Sequence, residues 1–393
     1  MEHSILTGVI ILLATSVILL AIFERLKLPI IIAYLVVGVL LGPSGLVWIP
    51  HTDDLHSLAE FGVVLLLFTI GLEFSLSKLW MLRRHVFGLG GAQVLVMAFI
   101  GGLIAWSVGL AADAAFIIGG ALALSSTAVV SRELSHRDEL GKQHGRMAVA
   151  VLIFQDLAVV PFLILIPVLA SDSTDILSEI GKALLTGVIV IALMVIAGRW
   201  ILQPLFRRIT DKGSEELFTL TTLLFALAAA WITEFSGLSL ALGAFLAGVM
   251  LSETGYRHRL INEIRPFRDV LLGFFFIVIG MMLDLAAVKS LFPWMMLTVF
   301  ILILVKTLVT TLLARIFSVQ RKVALHTAFI LSQAGEFGLV LVMLATSQGV
   351  LSKSVEQLML GVIIISIALT PLLIIFADPV AKKICLRQNA IND

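Results

Sequence analysis

The sequence predicts an all-α polytopic membrane protein with thirteen transmembrane helices, built as an inverted-topology repeat that contains two interrupted helices. Three observations lead to this fold class. The 393 residues are 60% apolar and only 13% charged, and the mean hydropathy of +1.11 is far above that of water-soluble domains. Apolar runs of membrane-spanning length follow one another along the chain. Two pairs of glycine-containing motifs also recur at nearly the same offset.

The apolar runs are each about 17 to 25 residues long, which suits a hydrocarbon core about 30 Å thick. The first run lacks a preceding basic segment and a small-residue cleavage site, so it is interpreted as a retained helix and not as a signal peptide. In chain order the thirteen runs lie at about 4–23, 28–48, 55–76, 86–109, 112–131, 145–170, 177–201, 215–235, 237–253, 266–286, 290–314, 323–348 and 355–377.

The distribution of Lys and Arg gives an independent check on the number of helices. With the N-terminus outside, the inner loops hold 23 of the 27 basic residues and the outer loops hold three, while Lys306 falls inside a helix. A missed helix would move every later loop to the other side and would remove this bias. The sequence therefore predicts thirteen spans with the C-terminus in the cytoplasm.

Two motif pairs indicate an internal repeat. LVVGVLLG around Gly38 resembles LAGVMLSE around Gly248, and LFTIGLEFSL around Gly71 resembles FIVIGMMLDL around Gly280, at offsets of 210 and 209 residues. They pair helices that lie seven apart, and an odd separation gives the two copies opposite orientations. Repeat one is expected at about 1–170 and repeat two at about 215–380, joined by a linking helix, within a single exchanger domain over residues 1–393. Substrate sites in such folds lie near the bilayer midplane.

The same offset places two polar interruptions at matching positions, one in the fifth apolar run and one in the twelfth. Ser and Thr can bond a neighbouring carbonyl and Gly tolerates unwound geometry, so each interruption can present carbonyls and helix ends to an ion. The alternative is that these residues only pack helices together. Glu336 is expected either to close the break in the twelfth helix or to line a cytoplasmic funnel. The candidates are Ser125, Ser126, Thr127, Gln333, Gly335 and Glu336.

Asp156 and its neighbour Gln155 lie in the middle of an apolar run. Asp156 is ten residues beyond Arg146, which is about 15 Å along a helix and half of the hydrocarbon core. Lys306, nine residues from Arg315, is placed at a similar depth. Because an intramembrane charge costs about 2.5 to 3.5 kcal/mol, a partnership between the acid and the base is expected. It is either a structural ion pair or a proton switch, and Lys306 is the predicted counter-ion.

A buried carboxylate suits cation/proton exchange. When it is deprotonated it is a hard oxygen ligand for a monovalent cation, and when it is protonated it is neutral and releases the cation. Gln155 adds a carbonyl oxygen without adding charge. The sequence thus predicts a site for K⁺ or Na⁺ on Asp156, electroneutral exchange for H⁺, and no cofactor.

Other functions fit the residues less well. An intramembrane hydrolase needs two catalytic carboxylates or H-E-x-x-H, and neither pattern is found, so no enzyme activity is expected. A channel-like cation efflux protein remains an alternative, because carbonyl-lined interruptions also form selectivity filters. Glu73 lies near a helix end and is interpreted mainly as an interfacial residue, with a supporting role at the site as the alternative. No nucleic-acid partner is expected.

Across nearly the whole chain the sequence resembles the monovalent cation:proton antiporter-2 family, most closely the membrane domain of Kef-type potassium/proton antiporters. The resemblance implies a homodimer with a core domain and a dimerisation domain, alternating access, and two broken helices that cross beside Asp156. It favours potassium, with a sodium/proton antiporter of the same family as the alternative. It rests on LGPSGL (41–46), EFGVVLLLFTIGLEF (60–74), LALSSTAVV (122–130), FQDLAVVP (154–161), LGAFLAGVML (242–251) and GEFGLVL (335–341).

The sequence departs from the Kef pattern in two places. No strand followed by G-x-G-x-x-G occurs, so a cytoplasmic nucleotide-binding domain is not expected in this chain. Either the chain is a short member of the group, or such a regulatory domain or subunit lies outside this sequence. The loop HRLINEIRPFRD (258–269) carries Arg265 where acidic character is usual, which argues against glutathione gating. The expected location is the bacterial inner membrane, in contact with its lipid.

Overall fold

The computed structural model describes residues 5–26, 28–47, 53–73, 81–170, 176–197, 200, 204, 215–236, 239–252 and 254–392. Within these ranges all regular structure is helical and no strand is present. Several basic residues that support the predicted orientation lie outside the described residues or have undescribed side chains. They are Lys27, Lys78, Arg199, Arg207, Arg208, Lys212, Lys382, Lys383 and Arg387.

The described helices, numbered here in chain order, are interrupted only by short loops and by the undescribed segments. A π-helical turn at Arg84–Gly90 leads directly into α4. The α-helices are α1 (Ile5–Arg25), α2 (Ile30–Leu41), α3 (Asp53–Glu73), α4 (Gly91–Ser107), α5 (Ala112–Ala123), α6 (Thr127–His136), α7 (Gln143–Leu169), α8 (Ile176–Ala197), α9 (Glu215–Phe235), α10 (Leu240–Ser252), α11 (Arg257–Met282), α12 (Leu285–Ile316), α13 (Arg321–Ile330), α14 (Glu336–Ser347) and α15 (Lys353–Asn392).

The prediction of an all-helical membrane protein is confirmed. Among the described residues, seven helical segments are long and apolar enough to cross a membrane, and four shorter apolar helices accompany them. The total of thirteen spans stays a prediction.

The chain divides into two compact units, each of which takes segments from both halves of the sequence. Unit 1 comprises residues 1–19, 34–78 and 163–282, and unit 2 comprises residues 20–33, 79–162 and 283–393. The packing of side chains is described below within each unit. The repeat boundaries expected from the sequence stay a prediction.

In unit 1 the four glycines of the repeated motifs form two equivalent close contacts. A Cβ atom on Gly38 would lie 2.9 Å from the Gly280 Cα, and a Cβ atom on Gly71 would lie 2.9 Å from the Gly248 Cα. The first contact joins α2 to α11, and the second joins α3 to α10. Since the repeat pairs Gly38 with Gly248 and Gly71 with Gly280, each contact is the counterpart of the other. Small residues are needed where helix backbones approach this closely.

In unit 2 both predicted interruptions are confirmed as breaks in helices. The first break separates α5 from α6, and the second separates α13 from α14. The Ser126 side chain caps α6 by accepting from the Val129 N–H at 3.2 Å, as a serine at this position commonly does. Gly335 precedes α14 with extended backbone angles, φ −119° and ψ 169°. The polar and flexible residues that predicted the interruptions thus lie at the helix ends.

The two breaks meet backbone to backbone. A Cβ atom on Gly335 would lie 2.5 Å from the Ser125 carbonyl carbon and 2.8 Å from the Ser126 nitrogen. The Ser125 hydroxyl donates to the Leu331 carbonyl at 2.9 Å. The two interrupted helices therefore cross at their breaks.

An apolar cluster packs between α6, α7 and α13. It includes Val130 and Leu134 on α6, Val151 on α7 and Ile330 on α13, all with exposed fractions of 0%. Its burial positions α6, α7 and α13 around the crossing.

We predict that Gly71→Ala destabilises the protein by about 1–3 kcal/mol, as overpacking of a close contact commonly does. The added methyl would overlap the Phe245 carbonyl and the Gly248 backbone. Thermal unfolding in detergent micelles measures the effect. Gly8→Ala on α1 is the matched control, since its methyl would meet nothing within 4 Å. Equal stability of the two variants would contradict the close-contact interpretation.

Candidate ion-binding site

Asp156 lies on α7, which runs without a break past the two crossing interruptions. The exposed fractions of Asp156 and Gln155 are 8% and 1%. The Asp156 Oδ1 atom accepts a hydrogen bond from the Thr127 hydroxyl at 2.8 Å. Thr127 is the first residue of α6, the helix that follows the first break. The carboxylate therefore contacts the start of that helix.

The side-chain amide of Gln155 forms hydrogen bonds with backbone groups at the first break. Its Oε1 atom accepts from the Ser125 N–H at 2.8 Å, and its Nε2 atom donates to the Ala123 carbonyl at 3.2 Å. Both partners are backbone groups left unpaired where α5 ends. In the structure this oxygen is bonded to the backbone of the break, and its predicted role as a ligand of the ion stays a prediction.

Gln93 is a further member of the site, which the sequence analysis missed. Its Oε1 atom accepts from the Gln155 Nε2 atom at 2.8 Å, and its Nε2 atom donates to the Ala123 carbonyl at 3.2 Å. It is fully buried on α4. The sequence signal that could have identified Gln93 is a glutamine within an apolar run, because buried amides in membrane helices find partners on neighbouring helices.

The Lys306 side chain extends from α12 to both breaks. Its Nζ atom donates to the carbonyls of Leu122 at 3.0 Å, Leu124 at 2.7 Å and Gln333 at 2.8 Å. The exposed fraction of Lys306 is 0%. An ammonium group has three N–H donors, and here each of them meets a carbonyl freed by a helix interruption.

The sequence suggested a direct pairing of Lys306 with Asp156, and this pairing stays a prediction. The three hydrogen bonds of the ammonium group join it to backbone carbonyls. The physical reason for these contacts is that each break exposes carbonyls with no helical partner, and buried acceptors of this kind need donors. Common depth predicted that both residues lie at the crossing, but it gave no signal for the backbone partners.

The second break contributes a buried amide and a buried acid. Both polar atoms of the Gln333 side chain are buried and lack a hydrogen-bond partner among the described residues. The Glu336 Oε1 atom accepts from the Ala128 N–H at 3.3 Å, which links the start of α14 to α6. Its two expected roles, closing the break in the twelfth helix or lining a cytoplasmic funnel, stay predictions.

Ser366, on α15, also contacts the second break. Its hydroxyl accepts from the Ala334 N–H at 3.1 Å. Nothing in the sequence distinguishes this serine from others that bond within their own helix, so it could not have been identified there.

Glu73 belongs to unit 1. Its side chain is about half exposed, and its Oε1 atom lies 3.6 Å from Arg268. The Arg257 side chain donates to the Leu72 and Glu73 carbonyls at 2.7 and 2.6 Å and so caps the end of α3. These contacts are those of a residue at a helix end.

Comparison with known proteins supports the resemblance drawn from the motifs. Residues 11–376 match the family described as sodium/hydrogen exchanger, transmembrane. The chain is 42% identical over 364 residues to a putative K(+) efflux antiporter KefB of Alkalimonas amylolytica, with 92% of this chain and 55% of the relative covered. It is 40% identical to the chloroplastic K(+) efflux antiporter 1 of Arabidopsis thaliana, with 95% and 32% covered. The chain thus spans about half or a third of the length of these relatives.

A solved structure has a similar fold. The sodium proton antiporter MjNhaP1 from Methanocaldococcus jannaschii, at pH 8, matches with a TM-score of 0.71 over 96% of this chain and 97% of that chain. Its identity of 18% makes this a likeness of fold alone. The family match, which covers most of the chain, and the two relatives at about 40% identity agree with it. The chain belongs to the transmembrane sodium/hydrogen exchanger family.

Proposed function

We propose that this chain exchanges a monovalent cation, potassium, for a proton across a membrane by alternating access, with Asp156 carrying the cation and the proton in turn. The observation that carries the proposal is the position of this carboxylate. It is buried beside two crossing helix breaks and accepts from the Thr127 hydroxyl. A carboxylate in such a place binds a desolvated cation when ionised and releases it when protonated.

The polar groups around Asp156 have different roles in this proposal. Ser125, Gln155 and Lys306 bond to backbone atoms and hold the crossing. Thr127 supplies a hydroxyl next to the carboxylate, and Gln333 supplies a buried amide whose atoms have no hydrogen-bond partner in the part of the chain that the structure describes. Thr127 and Gln333 are therefore the proposed oxygen ligands that accompany Asp156, and Ser126 is proposed to act through its cap of α6.

Potassium is preferred over sodium because the two relatives at about 40% identity are named as K(+) efflux antiporters. The neighbour named as a sodium proton antiporter shares the fold at much lower identity. Sodium/proton exchange is the second candidate. We also propose a homodimer in the bacterial inner membrane with its N-terminus outside, on the basis of the basic inner loops and the family resemblance.

We predict that Asp156→Asn abolishes exchange and preserves the fold, because the amide keeps the shape but neither titrates at working pH nor offers a charged oxygen. Proteoliposomes with a pH-sensitive dye inside measure proton flux driven by K⁺, Na⁺, Rb⁺ or Li⁺ gradients. Asp138→Asn is the matched control, because Asp138 is an exposed loop residue with φ 52°, a conformation that asparagine also tolerates. Near wild-type coupled flux in the Asp156 variant would disprove the proposed carrier.

The same assay separates the two candidate ions and the channel alternative. A K⁺ gradient is expected to move the luminal pH more than an equal Na⁺ gradient. The reverse order would identify sodium as the substrate. A cation current that leaves the luminal pH unchanged would identify a channel.

We predict that Lys306→Met lowers the free energy of unfolding by about 2 kcal/mol or more, because three buried carbonyls lose their donor. Methionine keeps a long unbranched side chain and removes only the ammonium group. Lys289→Met on the same helix is the control, since Lys289 is exposed. Thermal unfolding in micelles gives the comparison. Similar stability of both variants would mean that the carbonyl contacts contribute little.

The contacts of Lys306 also support an electroneutral cycle. The three carbonyls satisfy the protonated amine completely, whereas a neutral amine would have two donors for three acceptors and would direct its lone pair at a carbonyl. Lys306 is therefore proposed to keep its proton throughout the cycle. One cation then exchanges for one proton on Asp156, and no net charge moves.

We predict that the exchange rate is independent of membrane potential. A potential imposed with a chloride gradient and a chloride ionophore, without valinomycin, tests this in proteoliposomes. If Lys306 released its proton during the cycle, each additional charge would couple about 2.3 kcal/mol per 100 mV to transport. A rate that rises steeply with the potential would therefore show that Lys306 titrates.

A further inference from the structure

Three potential metal ligands meet in unit 2, at residues that the ion site does not use. Glu139 lies in the loop between α6 and α7, His144 is the second residue of α7, and His326 is on α13. One ligand atom from each residue lies within 4.8 Å of the other two. His144 is twelve residues before Asp156 on α7, which is about 18 Å along a helix, so this cluster is separate from the ion site.

The three side chains are already in contact with one another. The imidazole rings of His144 and His326 stack with centroids 3.9 Å apart and planes 13° from parallel. The His144 Nε2 atom lies 3.3 Å from the Glu139 Oε2 atom. The Thr327 hydroxyl donates to the His144 carbonyl at 3.3 Å, which fixes the start of α7 against α13. Lys142 bonds the other carboxylate oxygen, Oε1, at 2.8 Å and leaves Oε2 facing the rings.

Two imidazoles and one carboxylate form a ligand set that suits zinc. Zn²⁺ binds His nitrogen at about 2.0–2.1 Å and carboxylate oxygen at about 2.0–2.2 Å, commonly with three protein ligands and an open fourth position. Mg²⁺ and Ca²⁺ instead prefer sets made of oxygen atoms. Imidazole binds a metal in its neutral form.

The present arrangement needs only local adjustment to bind an ion. Ligand atoms in a tetrahedral zinc site are about 3.3 Å apart, given the bond lengths above, so the cluster must contract from its 4.8 Å span. The lone pairs of two nearly parallel rings do not converge, and the rings must therefore rotate apart. Glu139 and His144 are partly exposed, with side-chain fractions of 19% and 12%, so an ion can reach the cluster from solvent.

We propose that Glu139, His144 and His326 form a Zn²⁺-binding site at the end of unit 2 away from Asp156. The bound ion would join the α6–α7 loop and α7 to α13. These are the segments that continue into Asp156 and the second helix break. Zinc would therefore stabilise unit 2 by cross-linking three of its segments.

Zinc binding to the purified protein without a polyhistidine tag tests the proposal, with competition against a chromophoric zinc chelator as the measurement. One Zn²⁺ per chain is expected. His326→Ala, His144→Ala and Glu139→Gln should each weaken binding by about 10- to 100-fold or more, since loss of outer partners alone costs that much. His136→Ala is the matched control, because His136 is an exposed histidine at the end of α6. Mg²⁺ should not compete.

If a variant is less stable than the wild type, its thermal unfolding can still be compared with and without Zn²⁺, and this comparison tests the proposal. Zinc should raise the Tm of the wild type and of His136→Ala, but not of Glu139→Gln, which retains the shape of the side chain. No zinc binding by the wild type, or equal binding by all the variants, would overturn the proposal. Asp156→Asn should bind zinc like the wild type, so failure of the zinc site and failure of the proposed exchange are distinguishable.

Discussion

The hydrogen bonds from Lys306 to three backbone carbonyls are the constraint on which the proposed ion site depends. Two of these carbonyls belong to the end of α5 and one to the segment between α13 and α14. A single ammonium group thus holds both helix breaks together. Without it, each break would leave unpaired acceptors in an environment that has no water to satisfy them. The break residues are polar for the same reason, since every freed backbone group needs a partner.

The polar side chains at the crossing differ in what they contact. Several of them bond to the backbone of the breaks, as the Gln93–Gln155 pair does at Ala123. Asp156 projects from an intact helix beside them. A long unbroken helix fixes the depth and direction of a side chain better than an unwound segment can. In this arrangement the two broken helices can supply ligands while α7 keeps the carboxylate in place.

The sequence predicted the parts of this structure that depend on local chemistry. Hydropathy predicted a helical membrane protein, and the Ser125–Thr127 and Gln333–Glu336 runs predicted two breaks. The role of Asp156 as the ion carrier stays a prediction. The partners of Lys306 and Gln155 could not be predicted, because they are backbone groups that carry no sequence signal. Gln93 was missed for a similar reason, since a single glutamine in an apolar run does not reveal which helix it contacts.

The close approach at Gly335 limits how the site can be altered. The backbone of Ser125 occupies the space that any side chain at 335 would need, so the two breaks have no room for residues of different size between them. Engineers who wish to change ion preference cannot widen or narrow the crossing at this point. They must change the polar groups at its edge, such as the Thr127 hydroxyl and the Gln333 amide. In the proposed ion site, selectivity is thus adjustable through the identity of the donor atoms and not through the spacing of the helices.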